Sequence, residues 1–378
     1  MTTTFLQELR GYLGKGFFLA VFIPTMLFGF VHLTLYLEIA WGLLQAWQRW
    51  ADLPSEAKVI LGLVGLSGLA FFAYLIHNFQ LLITRFFEGY WQNWPLFRWL
   101  QEPRRRRYFR EWQYLNESVA SLAMSVEQAK KKFAANQPSV DETPLEVELN
   151  EVRDRWLTFF PPPNRWQQIR PTRFGNIFRA RELYATERYG IDASVIWPRL
   201  YPLLQSSIVD ALEDKKIAID FMLLIAVYAS LITLIWCPIL AVFTDRWLLF
   251  LICASGFPLA WLSYQSAVQD ALAYGAQIKT IFDLYRHELL KALGFKIPVD
   301  PETERQLWED ISFFLHRNIP PGECCQRAID SNESYQYLTE QILLTDEPKG
   351  WKRIGKAKQE LWQGIKEVFQ NSAGEKTS

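Results

Sequence analysis

Four stretches of this chain are long, apolar and almost free of charge, and they limit the fold more than any other feature. They read FFLAVFIPTMLFGFVHLTLY (about residues 16–37), VILGLVGLSGLAFFAYLIHNFQLLI (59–83), FMLLIAVYASLITLIWCPILAVF (219–243) and WLLFLICASGFPLAWLSYQSA (247–267). About 20 apolar residues in a helix cross the hydrocarbon core of a bilayer, whereas runs of roughly 10–14 serve as core helices. Inside lipid every backbone polar group must be bonded within its own segment, so these stretches are expected to be helices. The first is too long for the apolar part of a cleaved signal and has no small-x-small cleavage site before the next span. It reads as an anchor.

Orientation follows from Lys and Arg near the span ends. The loop between spans one and two carries only Arg49 and Lys58, and the turn between spans three and four is Thr244-Asp245-Arg246. After span two come Arg85, Arg98, Arg104, Arg105, Arg106, Arg107 and Arg110, and before span three Lys215 and Lys216. The middle of the chain is therefore expected on the cytoplasmic side. Both termini are expected there too, in agreement with Arg10 and Lys15.

The expected fold is all-α: an integral membrane protein with four transmembrane helices in two hairpins plus a helical cytoplasmic domain. Its parts are an N-terminal transmembrane hairpin (1–84), a cytoplasmic helical segment (85–216), a second transmembrane hairpin (217–267) and a C-terminal helical region (268–378). Residues 85–112 hold ten aromatics and seven arginines. Rings at headgroup depth and arginines reaching anionic phosphates suit a helix on the inner leaflet. The run from Arg104 to Arg107 could also meet nucleic acid, but beside a span it fits a topology determinant better, and no nucleic acid is expected. Beyond the first span, Ile39, Leu43, Trp47 and Trp50 recur at helical spacing, as an interfacial helix or a prolonged span would.

The cytoplasmic parts lack alternating strand patterns. Trp112, Leu115, Val119, Leu122 and Val126 give one amphipathic helix, the Pro- and polar-rich NQPSVDETP breaks it, and LEVELNEVRDRWLTFF gives a second. Past span four, Ala271, Tyr274, Ile278, Ile281, Phe282, Tyr285 and Leu289 continue a helix that Gly294 can stop. Asp300 and Pro301 suit the start of another. The polar end of the chain is expected to fray. Cys237 and Cys253 lie in apolar spans and Cys324 and Cys325 are adjacent, a spacing that fits neither a disulfide framework nor zinc.

Residues 171–200, PTRFGNIFRARELYATERYGIDASVIWPRL, are dense in arginine. Pro171-Thr172 can start a helix and Gly190 can end it. Phe174, Ile177, Phe178, Tyr184 and Ala185 share its apolar face, and Arg181 falls on that face, where a bare charge is costly. Arg181 therefore needs a carboxylate, a carbonyl or a phosphate. Arg179 and Glu182 are spaced to pair; Asp192 can cap a turn, Pro198 and Pro202 bend the chain, and Lys216 can neutralise Asp220. Two readings arise. Arg173, Arg179, Arg181, Arg188 and Arg199 could form an anion or lipid-headgroup pocket. Alternatively they are part of a packed joint with Glu182, Asp192, Lys216 and Asp220. Gly62, Gly65 and Gly68 make a small-residue face suited to close helix packing, within the chain or on a partner.

The pattern Pro-Thr-Arg-x-Gly-Asn-x-x-Arg-Ala-x-Glu, then Arg-Tyr-Gly-x-Asp, Trp-Pro-Arg-Leu and FDLYRHELLKALG, resembles one in uncharacterised bacterial multi-span membrane proteins. The resemblance covers residues 171–294 and implies a membrane protein without assigning an activity.

No phosphate-binding loop, zinc-protease motif or nucleophile elbow occurs, and the four histidines are scattered. No catalytic residue, metal or cofactor is expected. Ion-coupled transport needs a charged group deep in the membrane, and here Thr25, Ser67, Ser230, Thr233 and Ser255 are the deep polar residues, with Asp220 at the edge. The reading that fits best is a membrane-anchored scaffold. Its expected partners are the bilayer and its anionic headgroups, and either a second copy of the chain or a cytoplasmic protein. An oligomeric channel and a lipid-handling enzyme are the alternatives.

Overall fold

The computed structural model describes residues 14–134, 142–243 and 246–317. Arg10, the turn residues Thr244 and Asp245, most of the break after residue 134, Cys324, Cys325 and the polar end lie outside them. Among the described residues the chain is helical and has no strand, and four helices are long and apolar enough to cross a membrane: Lys15–Ala40, Ser55–Phe87, Ser206–Val242 and Trp247–Ala292. The described part is thus all-helical, with four helices suited by length and composition to a membrane.

Helix α1 (Lys15–Ala40) contains a π-helical turn at Phe18–Phe22, immediately before Pro24. Proline removes a backbone donor and crowds the preceding turn, and a wider turn accommodates it. Trp41 and Gly42 separate α1 from α2 (Leu43–Ala51), so the aromatic stretch forms its own helix, with Leu44 and Trp47 exposed. Helix α3 is Ser55–Phe87. Helices α4 (Pro95–Ala134) and α5 (Glu142–Phe159) run antiparallel, since Lys130 pairs with Glu146 at 2.5 Å and Glu111 with Arg155 at 3.6 Å. Their core is Trp112, Leu115, Trp156, Phe160 and Ile169.

Helix α6 (Arg173–Tyr189) has Thr172 as N-cap and Gly190, in the left-handed region, as C-cap. Asp192 caps α7 (Ala193–Leu200) by accepting from the Ser194 amide at 3.0 Å. Of the two prolines expected to bend the chain, Pro198 lies inside α7 and Pro202 in a 3-10 turn at Tyr201–Leu203.

Helix α8 (Ser206–Phe243) runs parallel to α1. Polar pairs join them at nearly constant offset: Lys15–Asp214, Thr25 Oγ1 with the Tyr228 hydroxyl at 2.9 Å, and His32 Nδ1 accepting from Trp236 Nε1 at 3.4 Å; Glu38 near the end of α1 pairs with Arg246, just before the fourth span. Helix α3 is antiparallel to α8, with Gln80 donating to the Asp220 carbonyl at 3.3 Å and Ala73 packed among Leu224 and Tyr228. The fourth span is interrupted at Ser255, between α9 (Trp247–Ala254) and α10 (Gly256–Ala292). Thr233 Oγ1 donates to the Cys253 carbonyl at 2.7 Å, and Lys215 meets Asp270 at 3.4 Å, so α9 and α10 also oppose α8.

The chain divides into two compact units, the second beginning at His287 in the last turns of α10. Its described part includes Gly294 at φ 82°, then α11 (Pro301–Arg317), whose N-terminus Asp300 caps by accepting from the Thr303 amide at 2.8 Å. His287 Nε2 lies 3.0 Å from Glu304.

Candidate functional site

The C-terminal end of α3 meets the N-terminal end of α6. A helix leaves its last four carbonyls without partners in the helix. Thr172 takes one of them: its hydroxyl donates to the Phe87 carbonyl at 2.7 Å while accepting from the Gly175 amide at 3.0 Å. At Gly175 a Cβ would overlap the Glu88 carbonyl oxygen, so only glycine allows this approach. Asn176 closes the preceding turn, accepting from the Arg170 amide at 2.7 Å and donating to its carbonyl at 3.0 Å. The Tyr264 hydroxyl accepts from the Phe174 amide at 3.3 Å, bringing in α10. Phe174 and Ile177 are fully buried with Ile219, Leu223, Ala267, Val268 and Ala271. The Pro-Thr-Arg-x-Gly-Asn sequence thus encodes a latch between helices.

The five arginines have separate partners. Arg173 stacks over Phe159 at 4.3 Å. Arg179 donates to Gln168 and to Glu182, each at 2.6 Å. Arg188 is exposed and donates to the Tyr184 hydroxyl at 3.1 Å. Arg199 donates to the Val195 carbonyl of its own helix at 2.6 Å. Arg181 is only 6% exposed; it donates to the Leu272 carbonyl of α10 at 2.6 Å, and its Nε has no partner. Burial lowers its pKa to about 10, which leaves it charged at neutral pH. Gly275 makes room for it, since a Cβ there would overlap the guanidinium. Of the three partners that could satisfy Arg181, the fold supplies a carbonyl.

A second cluster sits further along α6 and α10. Asp283 accepts from the Tyr184 hydroxyl at 2.9 Å and from the Tyr189 hydroxyl at 2.6 Å. Burial first, then Asp283, pushes both phenols up, so they remain neutral donors. Lys279 lies over the Tyr184 ring at 4.9 Å and Arg286 over the Tyr189 ring at 4.2 Å. Lys216 meets Asp220 at 2.5 Å, four residues along α8.

Glu88, just past α3, is the acid here that titrates near neutrality. Burial raises it to about 7, with Glu182 adding to the rise and Arg170, Arg85 and Lys216 opposing it. Neither Glu88 nor the pairing of Asp283 with two tyrosines is evident from the sequence. The signals were present in Glu88 beside Arg85 at a span end and in Asp283 within FDLYRHELLKALG, but only the fold assigns their neighbours.

Gly62, Gly65 and Gly68 have nothing within 4 Å of the Cβ each lacks, so no part of the described chain packs on that face. Cys237 and Cys253 carry free thiols. Among the described residues no three His, Cys, Asp or Glu side chains are grouped to hold a metal. No family model matches the chain, and comparisons with characterised proteins and with solved structures give no match.

Proposed function

We propose that the chain is a non-catalytic scaffold anchored in a bacterial inner membrane, with a helical docking region on the cytoplasmic side. Residues 1–84 and 217–267 form the two transmembrane hairpins, and both termini are cytoplasmic. The observation that carries this reading is the use made of the reactive side chains. Thr172, Arg179 and Asp283 are engaged in bonds from one element to another, Asn176 closes the turn before α6, and Glu182 pairs with Arg179 within α6. Such a network supports a rigid helical frame around α6 rather than turnover. The lysine and arginine distribution supports the orientation. The occupant of the docking region is a cytoplasmic protein or a second copy of the chain, and the open glycine face of α3 leaves room for a second copy within the bilayer.

The test combines mass photometry in native-lipid nanodiscs with cross-linking in membranes and single-cysteine labelling. A defined complex, with cysteines at 104 and 130 protected from an impermeant maleimide in intact cells and one at 49 labelled, is the expected result. A strict monomer without a cross-linked partner, or ion flux in liposomes, would replace the scaffold reading.

A further inference from the structure

A groove of about 250 Å³ lies between α4 and the segment that leads into α6, lined by Gln101, Arg105, Gln167, Gln168 and Arg170, with Ile169 and Pro171. Its ionised lining groups are both cationic. Arg105 pairs with Glu102 at 3.9 Å, beyond hydrogen-bond range, and Glu102 also faces Arg106 at 3.3 Å. Each groove guanidinium also donates to a neutral group. Arg105 donates to the Gln167 carbonyl at 3.1 Å. Arg170 donates to the Tyr90 hydroxyl at 2.9 Å and lies over the Tyr90 ring at 4.1 Å. A guanidinium carries five N–H donors in a rigid fork, so one bond orients it and leaves others for a ligand. Two fixed forks with amide side chains between them match the oxygens of a phosphate. The volume is below the roughly 300–1,000 Å³ of sites that enclose drug-sized ligands, and suits a headgroup.

The groove's position narrows the ligand further. On the first turns of α4, Leu96 is 78% exposed and Trp99 70% exposed. The Phe86 ring at the end of α3 contacts Trp94 at 5.6 Å and Phe97 at 4.8 Å, fixing that turn to the end of a span. Tryptophans gather where headgroups meet hydrocarbon. Arg105 follows Trp99 by roughly 9 Å along the same helix.

We infer that this groove binds a phosphate-bearing anion at headgroup depth, such as the phosphodiester of an acidic phospholipid. The inference rests on the membrane-anchored reading. It also assigns the anion to Arg105 and Arg170 rather than to the arginines of α6 and α7.

The full chain is reconstituted in nanodiscs of phosphatidylcholine with phosphatidylglycerol, and lipid retained after mild detergent extraction is counted by native mass spectrometry. Wild type is expected to retain phosphatidylglycerol in preference to phosphatidylcholine. Arg105→Gln and Gln101→Glu should each lower that preference about tenfold, the scale of one charge-assisted bond. Arg104→Gln, exposed on α4 outside the groove, should leave it unchanged. Displacement of the lipid by millimolar inorganic phosphate would identify a soluble phosphate as the ligand, and resistance to it would identify the lipid. Equal retention by wild type and both groove variants, or an equal loss in Arg104→Gln, overturns the site. If Arg105→Gln does not fold, Gln101→Glu alone decides. Failure of the wild type to enter nanodiscs would overturn the membrane reading, whereas entry without lipid preference would overturn only the groove.

Discussion

Gly175 and Gly275 are constrained by what lies against them. Each has a partner that a Cβ would overlap: the Glu88 carbonyl oxygen for Gly175 and the Arg181 guanidinium for Gly275. A backbone carbonyl at a helix end cannot swing aside as a long side chain can. Gly175→Ala is therefore expected to cost about 3 kcal/mol, the upper end for overpacking, read as a fall in the unfolding midpoint in detergent. Glu88 gives a pH prediction. Burial raises its pKa to about 7 in the fold from the ordinary 4.5 of a free glutamate, so the folded chain binds the proton more tightly than the unfolded chain. The associated stability is complete below about pH 4.5 and is lost as pH rises through about 7, a difference on the order of 3 kcal/mol. The wild type should melt lower at about pH 8 than at about pH 5.5, and Glu88→Gln should flatten that slope. Parallel curves for the two proteins would exclude Glu88 as the source.

At the scale of elements, α6 is tied to α3 by Thr172 and to α10 by Arg181, and the two ties are unequal. Thr172 caps α6 and satisfies a carbonyl of α3 with one hydroxyl, so Thr172→Val should cost about 1–2 kcal/mol. Differential scanning fluorimetry suffices to measure it. Arg181 is a buried cation whose partner is a mid-helix carbonyl already bonded along its own helix. Replacing an uncompensated buried charge by an apolar side chain of similar length removes a desolvation cost. Arg181→Met should therefore keep the fold and gain about 1 kcal/mol. A loss of more than about 2 kcal/mol would mean that an anion meets the guanidinium.

At the scale of the whole molecule, α1 is joined to α8 by the Lys15–Asp214 ion pair and by neutral hydrogen bonds, and to the start of the fourth span by the Glu38–Arg246 ion pair. The ion pairs are partly exposed and should contribute less than about 1 kcal/mol each. The Thr25–Tyr228 bond, shielded from water, should be worth about 0.6 kcal/mol, the average for hydrogen bonds between membrane helices. Lys15→Gln, Arg246→Gln and Tyr228→Phe are each expected to shift the midpoint slightly, with the spans still associated. Packing of Ala20, Val21, Ala73 and Leu224 accounts for the rest.

The amino-acid sequence alone determined the helical class, the four candidate spans, the caps at Thr172, Asp192 and Asp300, the stops at Gly190 and Gly294, and the pairs Arg179–Glu182 and Lys216–Asp220. These depend on composition over a window, or on neighbours within a few residues, and both can be read along a chain. The tertiary structure decided which carbonyl receives Arg181, why position 175 must be glycine, how Asp283 holds two tyrosines, and that Arg105 and Arg170 line one groove while the arginines of α6 and α7 have separate partners. Each of these joins residues tens of positions apart or more, and sequence spacing carries no information about which distant backbone or side chain a residue will meet. The glycine face of α3 belongs to the same class: its spacing marks it for close packing, and only the arrangement of the other helices leaves it open.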